Sequence, residues 1–322
     1  MVFHLLFSKK YNADDVEFQH ILTYNKWIAE GLGPDQFIFI FPRLRFFPPT
    51  TRFKNLKTAV ELRDKHTHDL LQHHIDTFDA GNIRDVADNL LMLSQDANSW
   101  QEDTTGFQQL SQEDIEAILS SLYLAGIETT YSTLRWFFVY LINYPEYQTK
   151  MYQEIVENIG LKREFVYEDV KSLPYVQAVM QETNRHASIA RIGVPRKTMV
   201  DTEVGGVSIP KGTEVMFNLH SIHYDPTYWD KPELFKPERW LNSDGSLKTE
   251  KITHYLPFSA GTRVCPGEKL AKTQMFLIVA KLLVNFEILA TKGGAVPPLD
   301  MGATGLAFAP QKEYKVLLTR RN

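Results

Sequence analysis

Apolar positions recur at helical spacing through most of this chain and alternate in only a few short stretches. The spacing predicts helices from about Asp14 to Leu32 and from Asn55 to Phe78, with the aromatic and proline-rich stretch "QFIFIFPRLRFFPP" between them. Ser111-Gln112-Glu113-Asp114 reads as a capping signal, and the apolar series Ile115, Ile118, Leu119, Leu122, Leu134, Phe137, Val139 and Leu141 follows it up to Tyr144-Pro145. That helix would run for roughly 30 residues and about 45 Å. It is apolar on most faces, so burial along its length is expected. Shorter helices are predicted over 146–159 and 174–186, and one from near Pro266 to about Leu289. Alternation in "VGGVSIPKGTEVMFNL" predicts a hairpin turning at Pro210-Lys211-Gly212, and a last strand pair is predicted around 306–308 and 314–318. The pattern gives a mainly α chain with small β-sheets, and no linker divides it.

Composition narrows this picture. A hydrophobic content of 43% with 12% aromatics belongs to a globular chain. The net charge of −4, without a sustained basic block, gives no reason to expect nucleic acid. No purely apolar run, 37–41 among them, approaches the roughly 20 residues of a membrane span. A single cysteine excludes an internal disulfide and a cysteine-rich zinc site. His66, His73 and His74 fall near helical spacing in "DKHTHDLLQHH". Metal ligation is one reading; a solvated polar face is the more usual one, and no acidic second shell accompanies them in sequence.

The lone thiol stands in "FSAGTRVCPGEKL". A cysteine just before a helix receives the positive end of the helix dipole, which favours thiolate. Pro266 suits a first turn, Gly261 and Gly267 permit close approach of a large flat group, and Arg263 adds a cation. A buried, inert cysteine is the simpler reading of such a position alone. The whole constellation argues otherwise. Phe258, Gly261, Arg263, Cys265 and Gly267 fill every fixed position of F-x-x-G-x-R-x-C-x-G, and here the chain resembles the haem-binding loop, 258–267, of the cytochrome P-450 superfamily.

Three further segments carry the same resemblance in the family's order. "QETNRH" supplies Glu182 and Arg185, and "FKPERWL" supplies Arg239, with Trp240 where phenylalanine is commoner. The resemblance implies that Glu182, Arg185 and Arg239 form a buried structural network. "AGIETTYS" implies that Gly126 leaves room over the haem and that Glu128 and Thr129 deliver protons. "RIGVPRKT" implies that Arg196 contacts a haem propionate. Position 191 departs from the pattern, since relatives often have proline there and another at 188. Arg191 therefore bears on the local backbone and the substrate class.

The resemblance implies a cytochrome P-450 fold lacking its N-terminal portion, with 1–322 one partial domain. The anchor, first helices and early strands of complete members have no counterpart here, nor has the helix that gives a tryptophan and a basic residue to the propionates. "SKKYNADDVEFQHI", "FPRLRFFP" and "KGTEVMFNLHSIHYD" are most similar to the microsomal animal branch, with its steroid 17-alpha-hydroxylase/lyase-type and aryl-hydrocarbon-type members. The implied activity is haem-thiolate monooxygenation of a lipophilic substrate, steroid-like or xenobiotic, by O2. Electrons would come from NADPH through a reductase at the endoplasmic reticulum membrane. Residues 37–47 would touch the bilayer or pack as an apolar loop. Alternatives are a haem-thiolate isomerase or lyase, a truncated non-catalytic fragment, and a cofactor-free cysteine nucleophile. The last lacks any recognisable histidine and carboxylate partners.

Overall fold

Helix α1 (Val2–Phe7) is followed by α2 (Val16–Gly31), α3 (Thr51–Asp76), α4 (Val86–Gln95) and the long α5 (Gln112–Asn143). The computed structural model describes residues 1–31, 50–95, 110–161, 163–250, 252–291, 299, 301–302, 307–310 and 314–321. The aromatic segment 37–47 and position 306 of the anticipated last strand pair lie outside them. The described residues group into two compact units, one within Met1–Thr129 and one from Thr130 onward, with α5 entering both.

The first unit is helical. Thr50 caps α3 by accepting from the Phe53 amide at 3.2 Å. The predicted cap of α5 is a reciprocal box: Ser111 Oγ accepts from the Asp114 amide at 3.1 Å, and Asp114 Oδ2 accepts from the Ser111 amide at 3.0 Å. Phe3, Ile21, Ile28, Leu56, Leu71, Leu91, Leu119 and Tyr123 form its buried core. Helices α2 and α3 approach closely at Gly31, where a Cβ would stand 2.7 Å from Leu56 Cβ, so only glycine fits.

The three spaced histidines of α3 do not converge. His66 Nε2 lies 3.3 Å from Tyr11 Oη, His73 is exposed, and His74 is buried with Nδ1 on the Leu70 carbonyl and Nε2 2.9 Å from Asp85 Oδ2. Asp85 also accepts from the Asp88 amide at the start of α4, and Asp88 is clasped by Arg84. The acidic groups near His74 thus come from the next element, which helical periodicity within α3 could not show.

The second unit adds α6 (Pro145–Asn158), α7 (Pro174–Ala187), β1 (Arg196–Lys197), β2 (Thr202–Val204), β3 (Val207–Ile209), β4 (Glu214–Val215) and α8 (Leu219–His223). Helix α9 (Glu268–Asn285), β5 (Phe286–Ala290), β6 (Met301–Gly302), β7 (Ala309–Pro310) and β8 (Val316–Arg320) complete it. Its core gathers Trp136, Phe137 and Tyr140 of α5 with Met151, Ile155, Val176, Val179, Phe276, Val279, Leu283 and Ile288. Gln148 locks α6 to β5, accepting from the Ile288 amide at 2.7 Å and donating to its carbonyl at 3.0 Å.

Four expectations are corrected. The hairpin pairs β2 with β3 and turns at Gly205-Gly206, not at Pro210–Gly212; φ values of 57° and 81° at the two glycines suit the twist of a two-residue turn. The Pro210–Gly212 turn instead brings β4 back against β1. Helix α9 ends at Asn285, and the following FEILA becomes β5, paired with β8; the anticipated pairing of 306–308 with 314–318 is replaced by β5–β8 and β6–β7. Finally, α5 is well buried from Ser132 to Ile142 apart from Leu134, Arg135 and Phe138, but residues 124–131 are half-exposed or exposed. Gly126, Glu128, Thr129 and Thr130 break the apolar surface there.

Candidate functional site

The loop that ends in the lone cysteine closes on itself. Ser259 and Gly261 take positive φ, 65° and 73°, and the Cys265 amide then donates to the Phe258 carbonyl at 2.9 Å. Gly261 has open space on its Cβ side, so its glycine is required by backbone conformation, not by crowding. Helix α9 begins at Glu268, two residues later than anticipated, and Cys265 stands on the turn that leads into it. The Glu268 amide reaches back to the Cys265 carbonyl at 3.4 Å. The thiol is exposed. A Cβ at Gly267 would lie 3.8 Å from the sulfur, at ordinary contact distance, filling room beside it. Phe258 is half-buried, with Lys272 Nζ 5.3 Å from its ring centre.

Two arginines belong to this region of the backbone. Arg263 lies in the Cys265 loop, and Arg196 of β1 reaches that loop, its Nη2 donating to the Arg263 carbonyl at 3.5 Å. Ile192, Val194 and Val264 expose apolar surface on these same two segments. An accessible sulfur without a hydrogen-bond partner among the described residues, two guanidinium groups and exposed aliphatic side chains suit a flat apolar group with an anionic edge. The donor set fits haem: one soft sulfur that would hold the iron and arginines that would pair with the propionates.

A buried network lies in the same unit. Arg185 holds Glu182 with two hydrogen bonds, Nε to Oε2 at 2.9 Å and Nη2 to Oε1 at 2.7 Å. Arg239 Nε and the Lys236 amide also donate to Oε1, at 3.1 and 2.9 Å. The Trp240 indole N–H donates to Oε2 at 2.9 Å. Burial alone would raise the Glu182 pKa, but the hydrogen bonds and charge of Arg185, with the charge of Arg239, hold the carboxyl below its usual range.

His223 extends the network toward the thiolate loop. Arg185 Nη1 donates to its carbonyl at 2.8 Å, and its Nε2 accepts from the Leu256 amide at 3.0 Å, two residues before Phe258. Nδ1 then carries the proton and donates to Ser188 Oγ at 3.1 Å. Burial, with the Arg185 charge beside it, pushes the His223 pKa down to about 4. Sequence reasoning missed His223 and read Trp240 only as a substitution; the polar atom of each has a partner far away in the chain.

Gly126, Glu128 and Thr129 belong to the first unit, whereas the Cys265 loop lies in the second. Thr129 Oγ1 donates to the Ala125 carbonyl one turn back, at 2.6 Å. A Cβ on Gly126 would meet Val2 of α1 at 3.4 Å, so the space this glycine leaves is bounded by α1. Glu128 is half-buried on the same helix.

Known proteins give a consistent answer. The family model described as cytochrome P450 matches residues 1–318. Steroid 17-alpha-hydroxylase/17,20 lyase of Oryzias latipes is 34% identical over 320 residues, covering 98% of this chain and 61% of the relative. The Gallus gallus protein of that name is 34% identical over 312 residues, 97% of this chain and 61% of the relative. The human one is 32% identical over 299 residues, 92% and 58% respectively. The chain spans about six-tenths of the length of these curated relatives. Members of the matched family use haem held by a cysteine thiolate. The match over almost the whole chain and the loop that carries Cys265 agree: the chain belongs to the cytochrome P450 family.

Proposed function

We propose that this chain supplies the haem-holding part of a monooxygenase that places one oxygen atom from O2 into a lipophilic, steroid-like or xenobiotic substrate. The observation that carries this reading is the exposed Cys265 thiol on a closed loop that also holds Arg263 and receives a hydrogen bond from Arg196. Haem, when bound, supplies the oxidative chemistry. Cys265 Sγ would hold the iron and donate electron density to it. Arg263 and Arg196 would bind the propionates, and Phe258 would pack beside the sulfur and limit water there. Gly261 and Gly267 would let the loop approach the ring closely. Gly126 would leave space on α5, and the Thr129 hydroxyl and the Glu128 carboxyl would hold and move protons. Glu182, Arg185 and Arg239 position the loop and touch no reacting atom.

The relatives are named as steroid hydroxylases and lyases, which supports a steroid-like substrate and leaves carbon–carbon cleavage as a second outcome at the same site. Electrons come from NADPH through a reductase. The family resemblance puts the protein at the endoplasmic reticulum membrane, with 37–47 as a bilayer contact. Among the described residues no helix is long and apolar enough to cross a membrane. One family model running through both units supports reading them as a single partial cytochrome P450 domain. Incubation of the haem-loaded protein with reductase, NADPH, a steroid panel and 18O2 tests the reading. Product carrying one labelled oxygen is expected. Product formed without label from O2 would replace oxygenation by an isomerase or dehydratase chemistry.

A further inference from the structure

Arg191, the residue that departs from the family pattern, lacks what neighbouring arginines have. Arg163, Arg185 and Arg239 each donate to a carboxylate. The Arg191 guanidinium is half-buried, lies over the Phe308 ring at 4.9 Å, and donates to no described residue. Its Nε is shut off from solvent, whereas the terminal nitrogens are not. The attraction of a cation to a phenyl ring does not replace the hydrogen bonds of a partly desolvated guanidinium.

His220 repeats the deficit beside it. Its amide donates to the Arg191 carbonyl at 3.1 Å, its ring lies 4.3 Å from that of Tyr224, and its Nδ1 is buried without a partner. Burial, with the Arg191 cation adding to it, pushes the His220 pKa down to about 4, so the ring is neutral at pH 7 and Nδ1 can carry a proton to donate. Among the described residues the pair therefore holds one positive charge without a counter-charge and donors without acceptors, beside aromatic rings.

Different neighbours distinguish this pair from the Cys265 loop. The Gly193 amide donates to the Phe217 carbonyl while the Arg191 carbonyl accepts from His220, so 191–193 run antiparallel beside 217–220. Arg196, five positions on, donates to the Arg263 carbonyl of the Cys265 loop, whereas Arg191 lies over Phe308.

We propose that Arg191 and His220 form a second binding site, for the carboxylate of a small monoanionic ligand with an aromatic or aliphatic body, separate from the Cys265 site. A single positive charge matches one carboxylate better than a phosphate dianion, and Phe308 and Tyr224 supply apolar walls. The inference does not depend on oxygenase activity or on haem loading.

Calorimetric titration of the 322-residue chain with benzoate, at neutral pH and constant ionic strength, tests it. Saturable binding at one site is expected, weakened roughly tenfold or more in Arg191→Met and several-fold in His220→Phe, as loss of charge-assisted hydrogen bonds requires. Arg263→Gln should leave it unchanged. His220→Phe keeps the test decisive should Arg191→Met fail to fold. No saturable binding to the folded chain, binding unaltered in the foldable variants of this pair, or binding lost only in Arg263→Gln would overturn the proposal.

Discussion

The indole N–H of Trp240 points at Glu182 Oε2, 2.9 Å away, and supplies the carboxylate with a donor that phenylalanine at the same place could not. Glu182 thereby accepts from Arg185, Arg239, Trp240 and the Lys236 amide, and both of its oxygens are satisfied without water. Trp240→Phe should cost about 1–3 kcal/mol in urea unfolding, the usual penalty for losing one partner of a buried hydrogen bond to a charged group. Glu182→Gln should cost more, about 3–5 kcal/mol, because two arginines lose their counter-charge. Equal stability of Trp240→Phe and wild type would show that the indole bond is not formed.

Two histidines with lowered pKa set an acid limit on the second unit. The ordinary histidine pKa is 6.5, and those of His223 and His220 are about 4 in the folded chain. A lowered folded value means that the unfolded chain binds the proton first. Their stabilising effect is therefore complete above pH 6.5 and is lost as pH falls toward 4. For His223 the full shift corresponds to a loss on the order of 3 kcal/mol. Glu182 adds a second loss of the same sign at lower pH, from its ordinary value of 4.5 down through its lowered folded value. Protonated His223 can no longer accept from the Leu256 amide, so the protection of that amide relative to its intrinsic exchange rate should fall as pH drops through about 4. Protection that stays constant down to pH 4 would contradict the assigned acceptor.

Gly261 should not tolerate a side chain. Its φ of 73° is in the left-handed region and no atom crowds its Cβ position, so Gly261→Ala is penalised by backbone strain alone, about 1–2 kcal/mol. The strained loop should also hold haem more weakly. Haemin titration of the variant is expected to show reduced affinity with unchanged helical circular dichroism.

Thr129→Ala removes a hydroxyl that already bonds to its own helix at the Ala125 carbonyl, so the helix should persist. In the haem-loaded protein with reductase and NADPH, peroxide released per product should rise. Unchanged coupling would remove Thr129 from the proton path.

Much of this molecule is legible along the chain, where the determinants are local. The box at Ser111 and Asp114, the prolines that open α6 and α7, and the five fixed residues around Cys265 all act within a few positions. The strand pairings were less legible. FEILA continues the apolar run of α9 and becomes a strand only because 316–320 pairs with it from some 30 residues away. Its β-propensity is overridden or expressed according to that distant partner. At the site, Trp240 and His223 act through atoms whose partners lie 58 and 33 positions away, a separation that no spacing rule reports. Arg191 was visible as a departure, and its lack of an acceptor became visible only with its neighbours in place.

The carbon monoxide difference spectrum of the dithionite-reduced chain after haem supplementation tests the central claim most directly, with Cys265→Ser beside it. The account predicts a red-shifted, thiolate-type Soret band in the wild type and its loss in Cys265→Ser, with helical content retained because the Cys265 side chain is exposed and its backbone bond to Phe258 is unaffected. An identical red-shifted band in Cys265→Ser, or no haem bound by the folded wild-type chain, would contradict it.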